Sequence, residues 1–168
     1  MKDIVGSDPC AIVNAGTLLS GDPTTTGELL ELLKVEDRAE PRQGILHALS
    51  WHGDLRTWGL MVRILADDRE DPKVRGQAAE GLAYMFDLVK ADSPEFELAV
   101  KTLLKALSDP SLEVRYNAIF AIGATKHPPL IPALEALLGD STPVPGWDDT
   151  IGKKAADAIE RLTWSKSS

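Results

Sequence analysis

Apolar and small residues recur along this chain at offsets that fit one stripe of an α-helix. After Arg75 they stand at Ala78, Gly81 and Leu82, and after Arg115 at Ala118, Ala121 and Ile122. Offsets of three, six and seven residues share one helical face, and small residues on that face let another helix approach closely. Weaker copies follow Arg42 (Ile45, Ala48, Leu49) and Gly152 (Ala155, Ala158, Ile159), which puts the four anchors 33, 40 and 37 residues apart. A leucine-rich segment precedes each copy: Glu28 to Lys34, Leu55 to Ala66, Glu95 to Leu107 and Leu130 to Leu138. The pattern predicts eight helices in four hairpins, and recurrence at a period of about 20 to 50 residues is the mark of a repeat architecture.

The two strongest copies share a motif, Asp71-Pro72-Lys73-Val74-Arg75-Gly76-Gln77-Ala78 and Asp109-Pro110-Ser111-Leu112-Glu113-Val114-Arg115-Tyr116-Asn117-Ala118. Each Asp-Pro is expected to cap its second helix, because the carboxylate accepts unpaired backbone N–H groups and proline has none to leave unpaired. Ser93-Pro94 and Pro128-Pro129 open the third and fourth hairpins in the same way. The repeats then run about 24–52, 54–90, 94–126 and 128–164, forming one domain over 24–164. Residues 1–23, with Gly6, Pro9, Gly16, Gly21 and Pro23, read as a loosely ordered arm or a short capping helix. Ser141 to Thr150 reads as a loop inside the last repeat, and 165–168 as a tail.

Composition narrows the class. Of 168 residues 43% are hydrophobic but only 5% aromatic, which favours small-on-large helix packing and an all-α fold over a β-sandwich. A net charge of −8 opposes binding to nucleic-acid phosphates or anionic lipid, both of which need clustered Lys and Arg. Cys10 is the only cysteine, so no internal disulfide forms and no thiol pair binds zinc. The mildly apolar stretch Ala11 to Leu19 follows Asp3 and Asp8 and lacks the basic start of a signal peptide. No apolar run approaches the roughly 20 residues of a membrane span. The chain is therefore expected to be a soluble, cytoplasmic monomer.

With these residues in place, the motif resembles HEAT repeats, and within them the short bacterial repeats named after phycobilisome lyases. The resemblance covers residues 24 to 164 and implies a right-handed α-α superhelix, a solenoid of about four HEAT-like hairpins. It also implies a hydrogen-bonded ladder between repeats. Asp67, Asp109 and Asp140, with Glu36 in the first repeat, hold the turn-acid position, and Arg42, Arg75 and Arg115 supply the other rung. Gly152 breaks the ladder at the C-terminal end.

In such solenoids the second helices line the concave face, so the residues just after each anchor should meet a partner. These include His47 and Trp51 in the first repeat, and Gln77, Glu80 and Tyr84 in the second. The third gives Tyr116, Asn117 and Phe120, and the fourth Lys153 and Lys154. Tyr116 and Phe120 stand four residues apart, where exposed aromatics ringed by polar groups would form an interface hot spot. The alternative is that these rings pack on each other or on Tyr84. Trp58 falls on the inward stripe with Met61, Val62 and Leu65, while Trp147 either plugs the solenoid end or meets a partner. Trp164 is expected to close the last helix pair.

No catalytic residues emerge. The pair His47 and His52, near Asp54, lacks a clear third metal ligand, and His52-Gly53 reads as a helix C-terminus. The run Asp67-Asp68-Arg69-Glu70-Asp71 lacks the alternating ligands of a calcium loop. No metal site or cofactor is expected. The chain reads as a non-enzymatic protein-binding module acting through its concave face; a sharper version is a small inhibitor or immunity protein against a basic toxin or enzyme encoded beside it. The resemblance leaves one alternative, a bilin lyase-like subunit or a chaperone acting on a chromophore-carrying protein.

Overall fold

The computed structural model describes residues 1–164 apart from Pro145, Trp147 and Asp148. The expectations for Trp147 and for the tail 165–168 lie outside the described residues. Nine α-helices follow one another among the described residues: α1 (Pro9–Ser20), α2 (Thr26–Val35), α3 (Ala39–Ser50), α4 (Leu55–Ala66), α5 (Pro72–Ala83), α6 (Pro94–Ala106), α7 (Leu112–Ala124), α8 (Ile131–Glu135) and α9 (Ile151–Trp164). The hairpins are α2–α3, α4–α5, α6–α7 and α8–α9, and α1 precedes them. Their starts follow local capping chemistry. The Asp8, Asp54 and Asp71 carboxylates accept the backbone N–H groups of Cys10, Arg56 and Lys73 at 3.0, 2.8 and 2.8 Å, and Ser93 accepts that of Phe96 at 3.2 Å.

The helices form two rows, an inner one of α1, α3, α5, α7 and α9 and an outer one of α2, α4, α6 and α8. Each inner helix packs along the next, whereas α4 and α6 are the outer pair in substantial contact. Small residues cause the difference. A Cβ on Gly16 would stand 3.0 Å from the Gly44 carbonyl oxygen, and one on Gly123 would stand 2.9 Å from Ala158 Cβ. Helices so close on one side and spread on the other form a curved array, with the inner row on the concave side. Between the rows lies one continuous core, including the fully buried Ile45, Leu46, Leu49, Met61, Leu82, Ile119 and Ile122. Each such side chain contributes about 1.5–3 kcal/mol relative to an exposed one. Trp58 joins this core, edge-on to Phe86 at 5.1 Å.

Three arginines tie off the repeat turns, and two of them join one repeat to the next. Arg42 donates to the Leu33 and Glu36 carbonyls at 2.9 and 2.8 Å and pairs with the Glu70 carboxylate of the next repeat. Arg75 donates to the Glu70 carbonyl at 3.1 Å and pairs with the Asp109 carboxylate. Arg115 donates to the Asp109 carbonyl at 2.9 Å. Each arginine thus ties off the turn of its own hairpin, and the first two also reach an acid one repeat ahead. Asp109 pairs as expected, but the other acids differ. Glu70, not Asp67, takes the second rung, because Asp67 bonds its neighbour Arg69 at 3.0 Å. The Glu36 carboxylate turns to Arg38 at 2.6 Å, and Asp140 accepts the Thr142 N–H at 2.9 Å, leaving Arg115 only its long-range field.

Three further expectations change. Asp109 does not cap α7: it accepts the Ser111 N–H at 2.8 Å, and the helix starts one residue later, at Leu112. The segment Leu130 to Leu138 is regular only over α8, because tighter three-residue bonds, Leu137 N–H to Leu134 O and Leu138 N–H to Glu135 O, carry its second half. Trp164 is 75% exposed at the end of α9, so it does not close the last pair. Leu162, two residues before it and so on another side of the helix, supplies that packing.

Candidate functional site

The concave face is built from helix positions that follow each arginine rung, from the next residue to just over two turns on. Glu80 and Tyr84 stand four apart on α5, and Tyr116 and Phe120 four apart on α7, so each pair projects from one side of its helix. Together with Leu112, Glu113, Asn117 and Val144 they line a groove of about 580 Å³. Gly76 makes this possible. A Cβ there would stand 3.0 Å from Glu113 Cγ and 3.2 Å from Asn117 Nδ2, so its absence lets both α7 side chains lie across α5. The loop after α8 closes one end: Val144 donates to the Asp149 carbonyl at 2.9 Å, and Asp149 is held by Lys154 at 2.9 Å and Lys153 at 3.7 Å.

An aromatic column crosses this face from repeat to repeat. Trp51 stacks on Tyr84 with ring centres 4.4 Å apart, Tyr84 meets Phe120 edge-on at 5.9 Å, and the Arg161 guanidinium covers Phe120 at 5.0 Å. Trp51 keeps 52% and Tyr84 39% of its surface exposed, whereas Tyr116 and Phe120 are half-buried. The alternative in which the rings pack on Tyr84 therefore holds for Phe120. Tyr116 leans on the core and lies under the Lys154 ammonium at 5.1 Å. The more exposed rings lie toward the N-terminus, Tyr84 one repeat and Trp51 two repeats before Tyr116 and Phe120.

Hydrogen bonds fix the acidic side of the groove. Glu80 accepts from Gln77 Nε2 at 3.0 Å and from the Tyr84 hydroxyl at 3.2 Å. Partial burial and the Glu80 charge push the Tyr84 phenol up to about 12. Gln77 itself is buried, so it positions Glu80 more than it faces outward. Glu113 is held above the usual carboxylate value by desolvation, with Asp71 and Glu80 adding to the effect and Lys73 opposing it.

A second groove, of about 410 Å³, continues the face toward the N-terminus. His47, Gln43 and Gly44 of α3 and Gln77 of α5 line it, bridged by Lys73 to Glu40 at 3.1 Å. Its far wall is α1, through Ile12, Val13, Gly16 and Thr17. Sequence reasoning named none of these α1 residues as site residues, although Asp8-Pro9 carries the same capping signal as Asp71-Pro72 and Ile12, Ala15, Gly16 and Leu19 fall on one helical stripe. Lys153 and Lys154 sit at the opposite end, engaged with Asp149. His52 lies apart from both grooves, its Nε2 donating to the Leu19 carbonyl at 2.8 Å and its Nδ1 2.9 Å from the Thr26 hydroxyl. Among the described residues no three His, Cys, Asp or Glu side chains are grouped so as to hold a metal ion, and no helix is long and apolar enough to cross a membrane.

The family described as HEAT repeats matches residues 61–145, from within α4 to the loop after α8. No curated protein matches the chain. Among solved structures, the crystal structure of an engineered protein from the Northeast Structural Genomics Consortium is similar with a TM-score of 0.56 and 17% identity, over 99% of this chain and 83% of that one. Identity at that level shows the shared fold alone.

Proposed function

The chain belongs to the HEAT-repeat family, and from that premise we propose that it is a non-enzymatic binding module whose concave face, floored by α3, α5 and α7, clasps a protein partner. HEAT repeats are in general protein-interaction scaffolds, so the specific content lies in the face and the partner. The observation that carries the reading is the column Trp51–Tyr84–Phe120, whose first two rings remain substantially exposed in a row that polar side chains could have filled. Large rings held rigid by stacking, beside a polar groove, are the usual anchors of an interface. The sharper proposal is an antagonist of a basic toxin or enzyme encoded beside it. Its support is the net charge of −8 and the acids Glu80 and Glu113 on the face itself.

Co-expression with the product of the adjacent gene tests this. A stable complex is expected, and Trp51→Ala with Tyr84→Ala should weaken it by about 2 kcal/mol or more, as loss of an aromatic hot spot does. If no complex forms and neither protein alters the other's toxicity, the antagonist reading fails.

A further inference from the structure

The groove between α5 and α7 brings together three chemical features. Its walls are the rings of Tyr84, Tyr116 and Phe120; its floor carries the carboxylates of Glu80 and Glu113; and it opens to solvent with a volume of about 580 Å³. Elsewhere on the same face acids are neutralised internally, Glu40 by Lys73 and Asp149 by Lys153 and Lys154. Glu80 and Glu113 take part in no ion pair among the described residues: Glu80 is held by the neutral donors Gln77 and Tyr84. Two such carboxylates whose fields overlap, beside aromatic rings, attract a cation. Two of the rings already carry a cation of the chain itself, Lys154 over Tyr116 at 5.1 Å and Arg161 over Phe120 at 5.0 Å, which leaves Tyr84 as the exposed ring beside the two acids.

On the reading that the concave face binds a protein, we infer that this groove receives an arginine side chain from a basic, extended segment of the partner, with the guanidinium against the exposed part of the Tyr84 ring and its N–H donors on Glu80 and Glu113. Arginine fits better than lysine because its planar fork can satisfy two acceptors at once while stacking on a ring, whereas an ammonium is a compact and strongly hydrated point charge. The Asn117 amide carbonyl offers a third acceptor on the same wall. Gly76 is part of the site: any side chain there would displace Glu113 and Asn117 from their positions over α5. The raised Glu113 carboxyl agrees with this, since the attraction of a docked cation would offset its desolvation and the repulsion from Asp71 and Glu80, which Lys73 alone opposes.

The test uses the intact chain and two blocked pentapeptides, Ala-Ala-Arg-Ala-Ala and the same peptide with citrulline, the neutral isostere of arginine. The arginine peptide should shift the backbone amide resonances of Gly76, Glu80, Glu113 and Asn117 saturably, and the citrulline peptide should bind about 10-fold more weakly or worse, as expected when hydrogen bonds lose their charge. Glu113→Gln alone and Glu80→Gln/Glu113→Gln together should reduce arginine-peptide binding, with the amide spectrum otherwise preserved. Equal binding of the two peptides, shifts confined to other parts of the surface, or unchanged affinity in Glu113→Gln would overturn the assignment. The adjacent-gene complex separates the two levels of the argument. If Trp51→Ala/Tyr84→Ala weakens that complex while Glu113→Gln does not, the arginine site is wrong and the concave-face reading stands; if neither changes it, both fall.

Discussion

The Val-Arg pairs divide their work between a backbone carbonyl and a carboxylate, and the two kinds of bond differ in energy. The Arg75 and Asp109 side chains are 6% and 9% exposed, so removing one partner strands a buried charge, at a cost of about 3–5 kcal/mol. Arg115 bonds a carbonyl without a paired acid, and its loss should cost about 1 kcal/mol. Chemical denaturation of Arg75→Ala and Arg115→Ala should therefore show clearly unequal midpoints; equal shifts would refute the rung assignment. The arginines themselves were legible because their spacing from the small-residue stripe is regular. Their acids were not: the run Asp67 to Asp71 offers four carboxylates within five residues, and which of them reaches Arg42 depends on how the turn folds. Glu36 provides a test in pH. Its carboxyl is lowered from 4.5 to about 2, first by the Arg38 side-chain hydrogen bond and with further help from the Arg38 and Asp37 N–H groups, against the opposing effect of burial. A folded value below the unfolded one means stability that is present above about 4.5 and is lost as pH falls toward about 2. Unfolding followed across that window should lose part of its acid sensitivity in Glu36→Gln. Arg38 also donates to the Val5 and Gly6 carbonyls at 2.8 and 3.1 Å, so the N-terminal turn should loosen first on acidification.

Among the elements, α1 is the one that the sequence left open between a loose arm and a short capping helix, and it has the clearest physical test. Four hairpins were legible because each repeats one apolar spacing, so every copy reinforced the others. A single unpaired helix has no such support, and its glycines and prolines fitted a loose arm as well as a capping helix. The structure puts those same residues to use: Pro9 starts the helix behind the Asp8 cap, and Gly16 lets it lie against Gly44 of α3. Gly16→Val should force the two backbones apart and free α1. Hydrogen exchange should then rise across residues 9–20 and much less in α7 and α9, because each helix pair of a solenoid depends on its neighbours alone. Equal acceleration along the chain would show that the array unfolds as one unit. Gly152 is the C-terminal counterpart. It stands where the other repeats carry arginine, yet a Cβ there would lie 2.5 Å from the Leu138 carbonyl oxygen. The missing rung is thus replaced by direct backbone contact, including Gly152 N–H to Asp140 O at 2.8 Å.

At the scale of the whole molecule, charge and aromatic surface should control different parts of binding. The concave site was legible as a set of positions but not as a set of exposures: Tyr116 and Phe120 look the most accessible in sequence, yet Lys154 and Arg161, more than 30 residues further on, cover their rings. What stays open is the Trp51–Tyr84 stack and the acidic groove beside it. A net charge of −8 produces a field that acts at long range, before contact, whereas the stacked rings act only once the partner is seated. Association with a basic partner should therefore slow steeply as ionic strength rises, from about 0.01 M, where charges are felt over about 30 Å, to about 1 M, where they reach about 3 Å. Dissociation should change little over the same range and should instead quicken in Trp51→Ala/Tyr84→Ala, since interface substitutions act mostly on the off-rate. Surface-plasmon kinetics on the adjacent-gene complex can separate the two. If salt acts chiefly on dissociation, the charges are buried contacts within the interface; if the ring variants act chiefly on association, the column helps to guide the partner in and does not anchor it. Either result would reverse the division between a steering charge and an anchoring column on which the proposed function rests.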